Sequence, residues 1–350
     1  MWNELFVAVL GVAFFAYLIW GFRVLPGERW QILATLPWRQ AASGEWLGRN
    51  LTYYGLFSSA AQLVSVSVIF LLFGAVGVTR LGTTVLVIAV LGVSVPASRL
   101  VAWLVEKKSA TFSVGGAAFV GILVAPWTVL AANAWALPAL GTEVPLLPAL
   151  AAMGVAYGFG EGLGRLACIS FGCCYGKPLT HTGPWMRRLF GRFHFVFRGE
   201  TKKIAYAGNL AGEKVVPIQA VTAMLYTGVG LAGMLLFLHG AYTVALLLTL
   251  GVTQLWRVLS ETLRADWRGA GWLSAYQWLA LASLPYALAV IAWLPAAPLP
   301  AANLVRGLDA LWHPGMVLFL IALWATVFLF YGRSEVTGSR LSLYVCHDRI

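Results

Sequence analysis

Two stretches far apart in the chain concentrate its reactive side chains. Residues 161–178 read Glu-Gly-Leu-Gly-Arg-Leu-Ala-Cys-Ile-Ser-Phe-Gly-Cys-Cys-Tyr-Gly-Lys-Pro. Glu161 and Arg165 are four residues apart, so on a helix they share a face and neutralise each other. Residues 257–268 read Arg-Val-Leu-Ser-Glu-Thr-Leu-Arg-Ala-Asp-Trp-Arg, and Arg257, Glu261 and Arg264 fall at i, i+4, i+7 along one helical face. Both stretches adjoin apolar sequence, where a charge costs several kcal/mol unless it is paired or holds an ion. Two arginines for one carboxylate in the second stretch leave a guanidinium free, and its planar fork suits a phosphate. A purely structural ion pair in the first stretch and simple interfacial anchoring in the second are the plainer alternatives.

Cys168, Cys173 and Cys174 lie inside the first stretch. A thiolate beside Arg165 would have a lowered pKa and is the reactive form, which makes Cys168 or Cys173 a candidate base or nucleophile. Small thiols packing a glycine-rich turn are the alternative. A zinc set of Cys168, Cys173, Cys174 and His181 is a weak match, because a vicinal pair departs from Cys-x-x-Cys spacing; the reading calls for no metal and no cofactor. Glycines 158, 160, 162 and 164 let another backbone or a lipid headgroup come close. Cys346 beside His347 in the tail is incidental, and cysteines this clustered do not form a loop-stapling disulfide framework.

The elements that position these residues follow from composition. The 350-residue chain is 60% hydrophobic and 11% charged, with a mean hydropathy of +0.80, too little polar surface to cover a soluble globule. Charge-free stretches at 5–22, 51–79, 81–98, 109–142, 144–160, 215–256, 269–305 and 315–332 predict membrane spans. The 215–256 stretch is long enough for two, with a turn at His239-Gly240. The expectation is an all-α polytopic transmembrane bundle of about eight to nine helices with a small extramembrane head at 171–216. In the head, residues 193–197 and 215–216 are candidate short strands. The first stretch lacks a basic leader and a small-x-small cleavage site, and reads as a retained anchor.

A net charge of +11 raises the question of nucleic acid. No basic run interleaved with aromatics supports that, and the basic residues sit between apolar spans, where anionic lipid headgroups are the natural partner. Nineteen of the 24 Lys and Arg residues fall in one alternating set of loops, against Arg80 and Arg306 in the opposite set. By the positive-inside rule the head segment then faces the cytoplasm.

The residues also carry a family resemblance. Gly-Arg-Leu-Ala-x-x-x-x-Gly-x-x-Tyr-Gly at 164–176 resembles the signature of the prolipoprotein diacylglyceryl transferases, and Arg257 to Asp266 is similar to that family's later Arg-x-x-x-Glu-x-x-Arg-x-x-Asp segment. Tyr53-Tyr54-Gly55-Leu56, Gly115-Gly116 and Pro217-Ile218-Gln219 resemble weaker family motifs in the same order. The likeness covers about residues 50–295. It implies a membrane core at 51–296, preceded by an anchor helix and basic loop (1–50) and followed by an extra helix and basic tail (297–350).

The resemblance implies transfer of a diacylglyceryl group from phosphatidylglycerol, or another anionic glycerophospholipid, to a cysteine thiol of a lipoprotein precursor in the bacterial plasma (inner) membrane. Carried over by position, Arg165 and Arg257 hold the lipid phosphate and Tyr54 lines the headgroup pocket. Around them, Arg264, Glu261, Glu161, Gly164, Gly172, Gly176, Gly115, Gly116 and Gln219 are expected in substrate binding. The chain departs from the family where a histidine precedes the glycine pair, here Val114. Two asparagines and a glutamate of the signature are Cys168, Phe171 and Cys173, and the family's Tyr-Glu after Pro-Ser-Gln is Val221-Thr222. Its head also faces outward in the family, opposite to the charge count.

Overall fold

In hydrocarbon a backbone can satisfy its own polar groups by coiling, so each long apolar stretch becomes a helix. The computed structural model describes residues 1–106, 114–266, 272–294 and 298–350. The long helices are α1 (Trp2–Val24), α2 (Tyr53–Ala75), α3 (Arg80–Glu106), α4 (Val114–Ala131) and α5 (Leu146–Phe171). After the head segment, with α6 (Pro184–Phe190) and α7 (Lys203–Gly208), come α8 (Ile218–Leu238), α9 (Tyr242–Thr262), α10 (Ala275–Trp293), α11 (Leu304–Leu311) and α12 (Pro314–Tyr331). Among the described residues, eight helices are long and apolar enough to cross a membrane, and a shorter apolar run, Arg80–Ser94, opens α3. The chain is a multi-pass membrane protein.

Among the described residues each of the nine expected stretches contains a helix, and α8 and α9 part at His239 and Gly240, whose φ of +79° suits glycine. Several boundaries differ from expectation, α9 for one running on through Arg257 and Glu261 to Thr262. The second span starts at Tyr53, because Leu51 and Thr52 belong to a strand and the Thr52 hydroxyl caps the helix by accepting from the Gly55 amide at 3.3 Å. The fifth span does not stop at residue 160 but continues through Glu161 and Arg165 to Phe171, since the pair neutralises itself in place. Residues 304–311, where a span was expected to end at 305 and a loop to follow, form α11, capped by Asn303 and pressed onto α2. There a Cβ on Gly307 would meet the Leu71 carbonyl at 2.4 Å.

The central helix is α5, packed against α2, α8 and α9. Glycine makes this possible: a Cβ on Gly162 would lie 2.9 Å from the Thr227 amide of α8, and one on Gly158 3.1 Å from the Tyr226 carbonyl. Gly160 is comparably tight against Ser65 of α2, at 3.2 Å, whereas Gly164 has only ordinary contact with Ala61.

The loop and tail flanking the bundle are not free appendages. Strands β1 (Ile32–Gln40) and β2 (Trp46–Thr52) pair antiparallel, β3 (Phe195–Val196) pairs with β4 (Lys214–Val215) in the head, and β5 (Arg333–Leu341) pairs with β2. Buried Asn50 holds the three-stranded sheet together: its Oδ1 accepts from Thr35 at 2.8 Å and Ser339 at 2.6 Å, and its Nδ2 donates to Thr337 at 3.2 Å. Hydrophobic patterning missed this sheet because most of its residues are exposed.

The head is docked by Lys202, which is fully buried. Its Nζ donates to the Leu25 carbonyl beyond α1 at 3.2 Å and to the Ser170 carbonyl at 2.5 Å, one of the acceptors a helix end leaves unpaired. Gln31 and Thr201 exchange two further hydrogen bonds at 2.6 and 2.7 Å.

Two predictions follow from these contacts. A Cβ on Gly55 would stand 2.1 Å from the Gly332 Cα, so Gly55→Ala must separate α2 from the end of α12. It should lower stability in detergent by about 1–3 kcal/mol, read as a drop in Tm, while Gly92→Ala, which meets nothing within 4 Å, should not. Burial lowers the Lys202 pKa to about 8 from an ordinary 10.5, with Glu28 opposing. The unfolded chain therefore binds more protons between those values, and stability should rise with pH from about 8 to 10.5 relative to Lys202→Met. Parallel denaturation curves for the two proteins test the sign.

Candidate functional site

Three helices present polar faces to one another at the end of the bundle that carries the head. On α5, Tyr157, Glu161 and Arg165 recur every four residues. On α8, Gln219, Thr222 and Tyr226 fall at i, i+3, i+7, and on α9 Arg257 and Glu261 share a face. Arg165, Arg257, Glu261, Arg264, Gln219, Thr222, Tyr226, Ser260, Ile218 and Cys174 line one cleft. It is tight: a water's centre has about 10 Å³ in which to move, room for roughly one water.

The two arginines from distant points of the chain meet on one carboxylate. Glu161 accepts from Arg165 through one oxygen and from Arg257 through the other, the latter at 3.3 Å. Arg257 also donates to the Tyr157 hydroxyl at 2.7 Å. The side chains of Glu161, Arg257 and Arg165 are 6%, 11% and 14% exposed, so these charges are strongly desolvated. The triad carries one positive charge in excess. The Nε atoms of both arginines are buried with no hydrogen-bond partner among the described residues, two donors left for an acceptor to satisfy.

Arg264 is held differently. It lies past the end of α9 rather than on the helical face the spacing predicts, donating to Asp266 at 2.8 and 2.7 Å and weakly to Glu261 at 3.5 Å. The free guanidinium expected within residues 257–264 is therefore not Arg264; the surplus comes from Arg165 and Arg257 sharing Glu161.

Backbone hydrogen bonds join the two stretches. Lys177 donates to the Leu263 carbonyl at 2.9 Å, Ala265 donates to the Tyr175 carbonyl at 3.0 Å, and Gly176 pairs with Arg264 as an isolated bridge. Gly176 must be glycine here, because a Cβ would sit 2.3 Å from the Val216 carbonyl oxygen. Gly172 ends α5 in the left-handed region, at φ +71°.

The remaining expected residues sort themselves around this cleft. Gln219 lines it and donates to the Cys173 carbonyl at 2.9 Å. Tyr54, in the first turn of α2, stacks edge-on against Phe171 with ring centroids 5.6 Å apart, beside the cleft rather than in its lining. Gly115 and Gly116 open α4, and the described lining does not include them. Cys168, Cys173 and Cys174 bring their sulfurs within 4.8 Å of one another, without His181, which is exposed on a short turn. The expected lowering of a thiol pKa does not hold at Cys173. Hydrogen bonding with Cys168 and Cys174, then burial, pushes it well above the ordinary thiol range.

Tyr157, Tyr226, Thr222 and Ser260 were missed by the motif reading. The four-residue spacing of Tyr157, Glu161 and Arg165 was the available signal, extending the charged face one turn back along α5.

No family model matches this chain, and neither the curated proteins nor the solved structures contain a match to it.

Replacing Glu161 by Gln leaves two buried guanidinium groups without their shared counter-charge. The variant should lose about 3–5 kcal/mol of stability, and vesicles containing phosphatidylglycerol should restore more of its Tm than vesicles of neutral lipid.

Proposed function

We propose that this protein is a membrane-embedded transferase that takes a diacylglyceryl group from phosphatidylglycerol, or another anionic glycerophospholipid, to a thiol acceptor, a prolipoprotein cysteine being the most specific candidate, in the bacterial plasma membrane. The observation that carries the reading is the meeting of Arg165 and Arg257 on Glu161, with one positive charge and two buried Nε donors left over. The two segments that resemble the diacylglyceryl transferases are the two that meet there.

In this reading the lipid phosphate takes up the unpaired donors of Arg165 and Arg257. The acceptor sulfur attacks the glyceryl carbon that bears the phosphate ester, the carbon–oxygen bond breaks, and glycerol phosphate departs with the bonding electrons. Guanidinium groups fixed in a narrow, buried cleft stabilise the charge that grows on the leaving phosphate. Glu261 lines the same cleft, its side chain making one hydrogen bond among the described residues, a 3.5 Å contact with Arg264, and it is the carboxylate we assign to take the thiol proton. A headgroup enters only when the cleft widens, and parting Glu261 from Arg264 is the small movement the contacts allow.

Two other readings have observations of their own. Val114 in place of the family histidine favours a related transferase with a different acceptor. The tightness of the cleft favours a protein that holds an anionic lipid without turning it over.

Purified protein incubated with phosphatidylglycerol and a cysteine-bearing lipobox peptide should release glycerol phosphate and yield a diacylglyceryl thioether. Arg165→Ala and Arg257→Lys should each reduce that release by at least about 100-fold, roughly the loss on removing one preorganised charge donor, while remaining inserted. Release with other thiols but not with the peptide would select the second reading. No turnover, with anionic lipid retained through purification, would select the third.

A further inference from the structure

The three clustered cysteines are not accounted for by lipid binding. Cys168 comes from the last turn of α5, and Cys173 and Cys174 from the turn that follows Gly172. Their sulfurs lie within 4.8 Å of one another, and all three residues are half-buried. Three sulfurs of a tetrahedral zinc site stand about 3.8 Å apart, given Zn–S bonds of about 2.3 Å. The sulfurs are therefore at most about 1 Å further apart than such a site requires.

The turn holds this arrangement actively. The Cys173 amide donates to the Cys168 carbonyl at 3.0 Å, and the Cys173 carbonyl accepts from buried Gln219 at 2.9 Å. Cys174 adopts a left-handed backbone, φ +56°, one of two non-glycine residues with positive φ among the described residues. Such a conformation costs an L-residue on the order of 1–3 kcal/mol and persists where the surroundings over-determine it. Here it folds the vicinal pair back so that both sulfurs face the one on α5, which explains how adjacent cysteines form a cluster without Cys-x-x-Cys spacing.

We infer that Cys168, Cys173 and Cys174 form a binding site for a thiophilic d10 metal ion, Zn(II) or Cu(I), held by three thiolates with any fourth position left to a ligand from outside the cluster. Three thiols this close cannot all ionise unless a cation joins them, and a bound metal deprotonates its thiols outright. Zn(II) with three thiolates carries one negative charge, and the Glu161–Arg165–Arg257 triad nearby carries one positive. Cys174 and Arg165 line the same cleft, so the ion stands at its edge. The inference does not rest on the lipid reading.

The test uses the full chain purified in detergent without chelators. Metal analysis should find about one zinc or copper ion per chain, or the protein should bind one equivalent of added Zn(II) or Cu(I). The triple variant Cys168→Ser, Cys173→Ser, Cys174→Ser should bind neither, while Cys346→Ser, at the exposed cysteine in the tail, binds as the unaltered protein does. Titration of the unaltered protein with Co(II) should give a sulfur-to-cobalt charge-transfer band in the near ultraviolet, a readout that survives if the triple variant fails to fold. Absence of bound metal, of added-metal uptake and of the cobalt band would overturn the site, as would a disulfide among the three in protein purified under reductant. The lipid turnover assay is read separately, so either proposal can fail alone.

Discussion

A charge inside a bilayer must be answered by another charge, and the structure around α5 is organised by that requirement. Glu161 sits in the interior of the most buried helix and accepts from two guanidinium groups that arrive from different helices. Neither arginine is tolerable at such low exposure without the carboxylate, and the carboxylate alone would be equally costly. The contact therefore fixes the relative rotation and depth of α5 and α9. Glycines at 158 and 162 then let α8 close over the same face, completing a polar compartment whose lining comes mainly from three helices.

The neutrality of this compartment is incomplete in a directed way. Taken together, Arg165, Arg257 and Arg264 face Glu161, Glu261 and Asp266, and the charges cancel in number. They do not cancel in place. The α5 side keeps a positive excess with unpaired donors, while the side beyond α9 pairs one arginine with two carboxylates. The cleft therefore separates charge, with its positive excess beside α5 and its negative excess beyond the end of α9.

The extramembrane parts follow a different physics. The head segment has too few apolar residues for a core of its own, so it buries Phe195, Phe197, Ile204 and Val215 against Leu18, Leu25 and Leu166 of the bundle and adds bonds to polar groups that helix ends leave unsatisfied. Lys202 caps the Ser170 carbonyl, the Ser170 hydroxyl donates to the Trp30 carbonyl, and Asn50 knits loop and tail into one sheet. These contacts bring the end of α5, the start of α2 and the cysteine turn under the head and the sheet, at the same end as the cleft.

Much of this was legible in the residues. Apolar length determined the long helices among the described residues, because the bilayer allows an isolated segment few alternatives to coiling. Spacing determined that Glu161 and Arg165 share a face, since helical periodicity is local. The resemblance already implied that Arg165 and Arg257 come together, but the pairings themselves lay beyond the sequence: that Arg257 bonds to Glu161, that Arg264 is taken by Asp266, that three cysteine sulfurs converge without His181, and that residues 32–52 and 333–341 form one sheet. Pairings between distant segments depend on how the helices rotate and on which carbonyls their ends leave open, and only the packed bundle decides those.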